Sequence, residues 1–358
     1  MQKEELKYWL ALKHNPNIGP ITFLKLLKAF GSMEKLWKSL KHILIKKKVK
    51  EEIIEAIEEL KATISPETEW QKIKKLNINV VTFKDKEYPK LLKQIPDLPP
   101  LLYYQGDLTE DKAPIAIVGS RKYSSYGQQV TKEITKELAE NDVTIVSGLA
   151  LGIDSFAHKV CLEAGGRTIA VLPSGLDKIY PACHQFLAKE IITKGGLLIS
   201  ENPPGTQVWA GNFAVRNRII AGISKGVLVI EAAQISGTLL TARAALDYNR
   251  EVFAIPADIY RPTSYGVNNL LKMGAHPVTQ AQDILYELNI PYQPKSVIAG
   301  FLSPKEREIL SFLSREPLHI DGLSRVTKMA MSELLPLLTI LEMQGKVKNI
   351  GANQYVIL

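Results

Sequence analysis

Residues 113–154 read APIAIVGSRKYSSYGQQVTKEITKELAENDVTIVSGLALGID, and this stretch decides the fold class. The apolar runs at 115–118 and 143–146 have the composition of short strands buried on both faces, and the segment between them has a helical pattern. Similar apolar runs follow, separated by further helical stretches, at 168–172, 197–200, 227–230 and 252–255. Strands that alternate with crossover helices predict an α/β protein with a doubly wound, Rossmann-like parallel sheet. Ligands of such sheets bind at the carboxyl ends of the strands.

The sequence on either side of this core predicts two further domains. A turn at 17–22 separates two short helical segments, as in a helix-hairpin-helix or SAM-like domain, and Gly19 is expected to supply a conformation that other residues resist. The amides of such a turn can meet a phosphate, but a plain helical cap domain explains the pattern as well. The predicted domains are a helical domain at 1–65, a Rossmann-like core at 66–290, a linker at 291–300 and a winged-helix domain at 301–358.

The composition is that of an ordinary folded protein with a moderate positive charge. Hydrophobic residues make up 46% of the chain and charged residues 23%. No apolar run approaches the roughly 18 residues needed to cross a bilayer, and the charged start lacks the pattern of a secretory signal. We therefore expect a cytoplasmic protein with no membrane partner. The net charge of +8 favours an anionic partner, and half of it lies in residues 1–60, where 12 Lys face 8 acidic residues.

The cysteines do not indicate a metal site. Cys161 and Cys183 lie near His158 and His184 in the sequence. However, His158 and Cys161 are three residues apart on a predicted helix whose inner face would bury both, so packing explains them better than metal binding. We expect neither a metal nor another cofactor.

The loops after the predicted strands share a composition that suits anions. They place Gly beside Ser, Thr or Arg, so that backbone amides and hydroxyls can approach a phosphate without a bulky side chain in the way. These loops contain Gly119-Ser120-Arg121, Ser147-Gly148, Ser174-Gly175 and Ser236-Gly237-Thr238. Their shared position after strands predicts a phosphate-binding rim at one edge of the sheet.

Charged and aromatic side chains near these loops are further candidates. Arg121 can pair with a phosphate through its planar guanidinium group. Tyr180 can stack on a base or pack internally, and both readings stay open. Arg216 and Arg218 flank Asn217 and cannot share one helix face, so we expect one to reach the rim and the other to support the fold or a subunit contact.

These motifs, in their order and spacing, closely resemble those of the DprA/Smf family of DNA-processing proteins, and the resemblance covers essentially the whole chain. It implies a non-catalytic dimer that binds single-stranded DNA in a basic pocket of the core and helps load the RecA recombinase during natural transformation. It also implies DNA contact at Arg121 and its neighbouring Gly and Ser residues, at Lys178 and at the cluster 216–218. His184 stands where family members often have Asn, which leaves the role of that position open.

An enzyme is the main alternative. Nucleoside-monophosphate phosphoribohydrolases also place a Gly-rich loop before a helix, and Glu201 or Glu231 could supply their catalytic carboxylate, but the rest of their signature is missing. No G-x-G-x-x-G follows the first strand and no G-x-x-x-x-G-K-[ST] occurs, which disfavours a dehydrogenase and an ATP motor. The candidate recognition helix at 331–344 has no Lys or Arg, so a transcription factor that reads duplex DNA is also disfavoured.

Overall fold

The computed structural model describes residues 3–292, 303–314 and 316–357. The chain forms two compact units, Met1–Gln293 and Pro294–Leu358. The first unit holds both the helical N-terminal segment and the large sheet. The predicted linker at 291–300 lies, from residue 293 onward, outside the described residues, and the predicted domain boundaries stay predictions.

The first unit is built around a sheet of nine strands within the described residues. The strands are β1 Asn79–Thr82, β2 Leu101–Gly106, β3 Pro114–Val118, β4 Thr144–Ser147, β5 Thr168–Val171, β6 Leu197–Ser200, β7 Gly226–Val229, β8 Glu251–Ala254 and β9 His276–Pro277. Their order is β1-β2-β6-β5-β4-β3-β7-β8-β9. Strands β3 to β9 are parallel, and β1 and β2 add an antiparallel edge beside β6. The predicted Rossmann-like α/β core is thereby confirmed.

Helices precede the sheet and connect its strands. They are α1 Lys3–Leu12, α2 Pro20–Phe30, α3 Met33–Lys38, α4 Lys41–Lys46, α5 Glu51–Thr63, α6 Pro66–Lys75, α7 Ser125–Glu140, α8 Ile153–Glu163, α9 Gln185–Thr193, α10 Ala210–Ile223, α11 Gly237–Asp247, α12 Tyr265–Lys272 and α13 Ala281–Glu287. Short 3-10 turns occur at Leu92–Gln94, Ala182–His184 and Pro262–Ser264.

The alternation of side chains along the buried strands explains why helices cover both faces of the sheet. Ile115 and Ile117 of β3 pack in one apolar cluster with α7 and α8. Ala116 and Val118, the alternate residues of the same strand, pack in a second cluster with α10 and α11. Because successive side chains of a strand point to opposite faces, a strand that is apolar at every position must be covered twice.

The N-terminal helices pack directly on the sheet. Trp9 and Phe23 are fully buried in a cluster that continues through Tyr103 of β2 and Leu198 of β6. Gly19 precedes α2 with φ −67° and ψ 173°, an extended conformation that any residue adopts. The prediction of a special backbone conformation at Gly19 is therefore wrong, because Pro20 at the first helical position is enough to start α2 there.

The second unit has the predicted winged-helix architecture. Its elements are α14 Pro304–Phe312, β10 Leu318–His319, α15 Ile320–Thr327, α16 Met331–Met343, β11 Val347–Gly351 and β12 Gln354–Ile357. Ser303 and Glu306 form a capping box at the start of α14. The hairpin of β11 and β12 gains a third short strand, β10, which the sequence did not predict.

Among the described residues, no helix is both long and apolar enough to cross a membrane.

Candidate functional site

The predicted rim forms at the carboxyl edge of the parallel strands, at the point where the strand order reverses. Strand β3 lies between β4 and β7, so the chain leaves β3 in one direction and returns on its other side. The Thr238 hydroxyl, in the first turn of α11, donates to the carbonyl oxygen of Gly119 at 3.1 Å. Ile153, at the start of α8, donates its amide to the carbonyl oxygen of Ser120 at 3.2 Å. Two helix starts therefore hold the loop after β3.

Three exposed or half-buried side chains meet at this edge, and we call them the arginine-aromatic cluster: Arg121, Tyr180 and Phe213. The guanidinium carbon of Arg121 lies 5.2 Å from the centre of the Phe213 ring. The rings of Phe213 and Tyr180 meet edge to face at 5.7 Å. Arg121 is exposed and Tyr180 is 44% exposed, so a cation and a ring face solvent together. Such a surface can pair with phosphate and stack on a base.

Lys178 and the start of α11 extend the exposed part of the rim. The Lys178 side chain is exposed, on the same loop as Tyr180. Ser236 caps α11 by accepting from the Thr238 amide at 3.3 Å. A Cβ atom at Gly237 would meet no atom within 4 Å, so the backbone there is open to solvent. The first N–H groups of a helix have no partner within the helix and favour an anion.

Arg216 lies beneath the rim and does not reach solvent. It is 4% exposed, and its Nη1 donates to the carbonyl oxygens of Gly148 and Val171, at the ends of β4 and β5. Burial lowers the pKa of Arg216 to about 10, with nearby Asp154 opposing the shift and Arg121 adding to it. Burial likewise raises the pKa of Asp154. Arg216 therefore joins two loops from below.

Arg218 is placed on the other side of α10. Its guanidinium pairs with Glu201 and donates to the Asp97 carbonyl oxygen at 2.6 Å. Asn217, between the two arginines, accepts from Arg216 Nε at 3.1 Å and donates to the Gly237 carbonyl oxygen at 3.1 Å. We expected one of the two arginines to reach the rim. Arg216 lies directly beneath the rim loops, but both guanidinium groups bond to oxygen atoms of the protein.

The predicted serines of the second and third loops are buried as well. Ser147 is fully buried and donates its hydroxyl to the Ile117 carbonyl oxygen at 2.6 Å. Ser174 is fully buried and donates to the Lys178 carbonyl oxygen at 2.9 Å. Gly148 and Gly175 are needed for space, since a Cβ at Gly148 would lie 2.1 Å from Arg216 Nη1 and one at Gly175 would lie 2.6 Å from a backbone oxygen. These residues shape loops and have no hydroxyl or side chain at the surface.

Phe213 is a site residue that the sequence reading did not single out. It lies in the first turn of α10, three residues before Arg216. A phenylalanine near the start of an apolar helix predicts a core position, so pattern alone offers no signal for it. The structure shows that this turn faces solvent, since Trp209, which immediately precedes the helix, is 64% exposed.

Of the histidines and cysteines near the rim, Cys161, His158 and His184 are buried, whereas Cys183 is exposed. His158 is fully buried, its Nδ1 lies 2.6 Å from the Thr168 hydroxyl, and burial lowers its pKa to about 3. His184 Nδ1 lies 2.8 Å from the Leu149 carbonyl oxygen. Among the described residues, the group with metal-ligand geometry is Glu251, His276 and Glu287, and it lies at the amino end of β8, opposite the rim.

The carboxylates that a phosphoribohydrolase would need are occupied. Glu201 is 6% exposed and pairs with Lys13 at 3.1 Å and with Arg218. Glu231 is 2% exposed and accepts from the backbone and hydroxyl of Ser124. Neither carboxylate is free to act on a substrate in this arrangement.

The chain is similar to proteins of one known family. A family model described as DNA recombination-mediator protein A matches residues 79–289, and one for the DprA winged helix domain matches residues 294–351. Protein Smf of Synechocystis is 33% identical over 99% of both chains, and DNA processing protein DprA of Streptococcus pneumoniae is 45% identical over 56% of this chain and 71% of its own.

Solved structures show the same likeness. The X-ray structure of DNA processing protein A from Streptococcus pneumoniae has a TM-score of 0.68 and 36% identity, covering 78% of this chain and 97% of that one. A structure of DNA processing protein A from Helicobacter pylori, described for its single-stranded DNA binding mode, has a TM-score of 0.54 and 32% identity, covering 61% of this chain and 99% of that one.

Proposed function

The chain belongs to the DNA recombination-mediator protein A family, known as DprA/Smf, and on that premise we propose that it binds single-stranded DNA at the rim without sequence preference. We further propose that it acts as a dimer and helps load RecA on the bound strand during natural transformation. It does so without catalysis and without a cofactor.

The observation that carries the proposal is the arginine-aromatic cluster beside the open start of α11. Arg121 offers a cation, Tyr180 and Phe213 offer rings, and the backbone at Gly237 is open to solvent. None of these groups reads the edge of a particular base, because rings stack on any base and cations meet the phosphates common to all. A site of this kind binds strands without regard to their sequence.

The structure divides the candidate residues into two proposed roles. We assign direct contact to the exposed or accessible ones, which are Gly119, Ser120, Arg121, Lys178, Tyr180, Phe213, Ser236, Gly237 and Thr238. We assign a supporting role to Ser147, Gly148, Ser174, Gly175, Arg216, Asn217 and Arg218, which hold the loops from below. The family resemblance supports the first group, and burial or hydrogen bonds to other protein groups support the second.

The dimer and the RecA role rest on family membership. A dimer would present two rims and raise the effective concentration of the second site on one strand. Light scattering across a concentration series measures the oligomeric state. Loading is measured by the rate at which RecA filaments form on single strands coated with a single-strand binding protein, with and without this protein.

The experiment that tests the DNA site is fluorescence anisotropy of labelled single- and double-stranded oligonucleotides over a salt series. With Arg121 and Lys178 as phosphate contacts, log K is expected to fall with log salt with a slope of about −1.4 for single strands. Arg121→Ala removes one contact, so affinity should fall about tenfold or more and the slope should flatten by about 0.7.

Lys136→Ala is the matched control, since Lys136 is exposed on α7 and its loss removes the same charge away from the rim. It should leave affinity within about twofold. Absence of binding by the folded wild-type protein would refute the proposal, and equal effects of both variants would show that net charge, and not the rim, determines affinity.

A further inference from the structure

A cavity of about 900 Å³ lies beside the rim, between the N-terminal helices and the loop that follows β6. Its walls come from the turn between α1 and α2, from α6, and from residues 202–209 and the first turns of α10. The volume is in the range of pockets that hold a nucleotide-sized ligand. Nothing in the proposed rim explains this cavity.

Trp209 is the most unusual residue of its lining. Its side chain is 64% exposed, whereas Trp9 is fully buried and Trp37 and Trp70 are partly buried. The ring lies against the backbone of α10, because a Cβ atom at Gly211 would be 2.1 Å from it. A large apolar ring that is backed by a helix on one side and open on the other is a ready stacking platform.

The charged groups of the cavity lining balance, because each acidic side chain lies beside a basic one: Glu69 beside Lys72, Asp97 beside Arg218, and Glu201 beside Lys13 and Arg218. Glu201 pairs with Lys13 at 3.1 Å, and the Glu69 carboxylate lies 2.7 Å from His14 Nε2 and 3.9 Å from the Lys72 ammonium group, so these carboxylates already have protein partners. The Lys72 side chain is 38% exposed, and its ammonium group donates to the Pro204 carbonyl oxygen at 2.9 Å, at the cavity wall. The first turn of α2, which has 11 residues, also faces the cavity and provides N–H groups that lack partners within the helix.

Two contacts place the cavity next to the rim. Trp209 is the residue immediately before α10, and Phe213 follows four residues later in the first turn of that helix. Asp177, on the rim loop that carries Tyr180, accepts the Gly205 amide at 3.0 Å. A strand held at the arginine-aromatic cluster can therefore reach Trp209 by extending a short distance.

We propose that this cavity is a second base-binding subsite, which takes a further nucleotide of the strand held at the rim, with a base on Trp209 and a phosphate near Lys72 and the start of α2. This inference rests on the proposed function, since the occupant is the same DNA strand. It assigns the N-terminal helices a role in the length of strand that is bound.

The test measures the affinity of oligothymidines from about 4 to about 16 nucleotides long for the full-length protein and its variants. Trp209→Ala should weaken the longer strands by at least about fivefold and leave the shortest strands unchanged, because only long strands reach the cavity. Trp209→Phe keeps a ring and should restore most of the affinity. Tyr286→Ala, at an exposed aromatic residue of α13, is the control and should match the wild type at every length.

A spectroscopic readout supports the same test. Long strands should quench the tryptophan fluorescence of the wild type, and this quenching should be lost in Trp209→Phe, since the three other tryptophans are at least partly buried. Quenching by free thymidine monophosphate as strong as by the long strand would indicate a free-nucleotide site and overturn the inference.

The outcomes separate this inference from the proposed function. If Trp209→Ala binds every length like the wild type while Arg121→Ala is weakened, the second subsite is wrong and the rim stands. If Trp209→Ala weakens all lengths equally, Trp209 has no separate subsite and the inference is also overturned. If the wild type binds no single strand at any length, the proposed function fails and the inference fails with it.

Discussion

Replacing the buried Arg216 with methionine should destabilise the first unit strongly, although this arginine belongs to a motif that suggests DNA contact. Methionine has a similar length and fits an apolar site. It cannot donate to the carbonyl oxygens of Gly148 and Val171, and it leaves Asp154 buried without its compensating charge. Two charge-assisted hydrogen bonds and one uncompensated carboxylate amount to a loss of about 3–5 kcal/mol.

Urea denaturation followed by tryptophan fluorescence measures this loss. All four tryptophans lie in the first unit, so the signal reports on that unit even if the winged-helix unit unfolds separately. Arg243→Met is the control, because the Arg243 side chain is 79% exposed on α11 and its loss should change stability by less than about 0.5 kcal/mol. A loss of less than about 1 kcal/mol in Arg216→Met would refute the view that Arg216 holds the loops from below.

Three further outcomes follow from the same contacts. Burial lowers the pKa of His158 to about 3, so below pH 6.5 the unfolded chain binds a proton that the folded chain does not. The free energy of unfolding of the wild type should therefore fall by about 1.4 kcal/mol per pH unit from this group between pH 6 and 4. Urea titrations at each pH should show that His158→Gln lacks this part of the slope. Gly237→Ala should weaken DNA binding in anisotropy without lowering the urea midpoint, since the new Cβ atom lies in open space where we propose that the backbone approaches phosphate. A lower urea midpoint together with weaker DNA binding would contradict this. Lys13→Met should lower the free energy of unfolding by about 1–3 kcal/mol in urea titrations followed by tryptophan fluorescence, because Glu201 then keeps only one of its two partners. An unchanged urea midpoint would show that the Lys13–Glu201 pair does not anchor the N-terminal helices.

The fold was readable from the sequence because its strands are buried on both faces. The run at 115–118 has no polar residue to interrupt it, so it must be covered on both faces, and the helical stretches between the runs supply that cover. By contrast, the antiparallel placement of β2 beside β6 depends on which edge of the sheet remains free after the helices pack, and local pattern does not encode this. The short strand β10 is likewise set by its pairing with β12.

The sequence predicts where the candidate site lies, but not which of its residues are exposed and which are buried beneath the surface. Gly beside Ser after several strands predicted that these loops meet at one edge of the sheet, and they do, because parallel strands bring their carboxyl ends together. Which residues of a loop point to solvent depends on the neighbouring loops. Ser147 turns inward because the Ile117 carbonyl oxygen lies within reach, and Arg216 turns inward because two loop carbonyls and Asp154 surround it. Phe213 became visible as a site residue only through its contacts with Arg121 and Tyr180.

The two layers explain why loss of binding alone would be a poor guide to this site. Gly148 and Arg216 lie beneath the rim, and a change at either would displace loops and reduce DNA binding without removing any DNA contact. Arg121 and Gly237 lie on the exposed surface of the rim, and changes there should reduce DNA binding without changing the free energy of unfolding. Each variant therefore needs both an affinity and a free energy of unfolding. A motif residue contacts DNA directly only if its replacement lowers the affinity for DNA and leaves the free energy of unfolding unchanged. The structure predicts that replacements of Arg121 and Gly237 meet this criterion and that replacement of Arg216 does not.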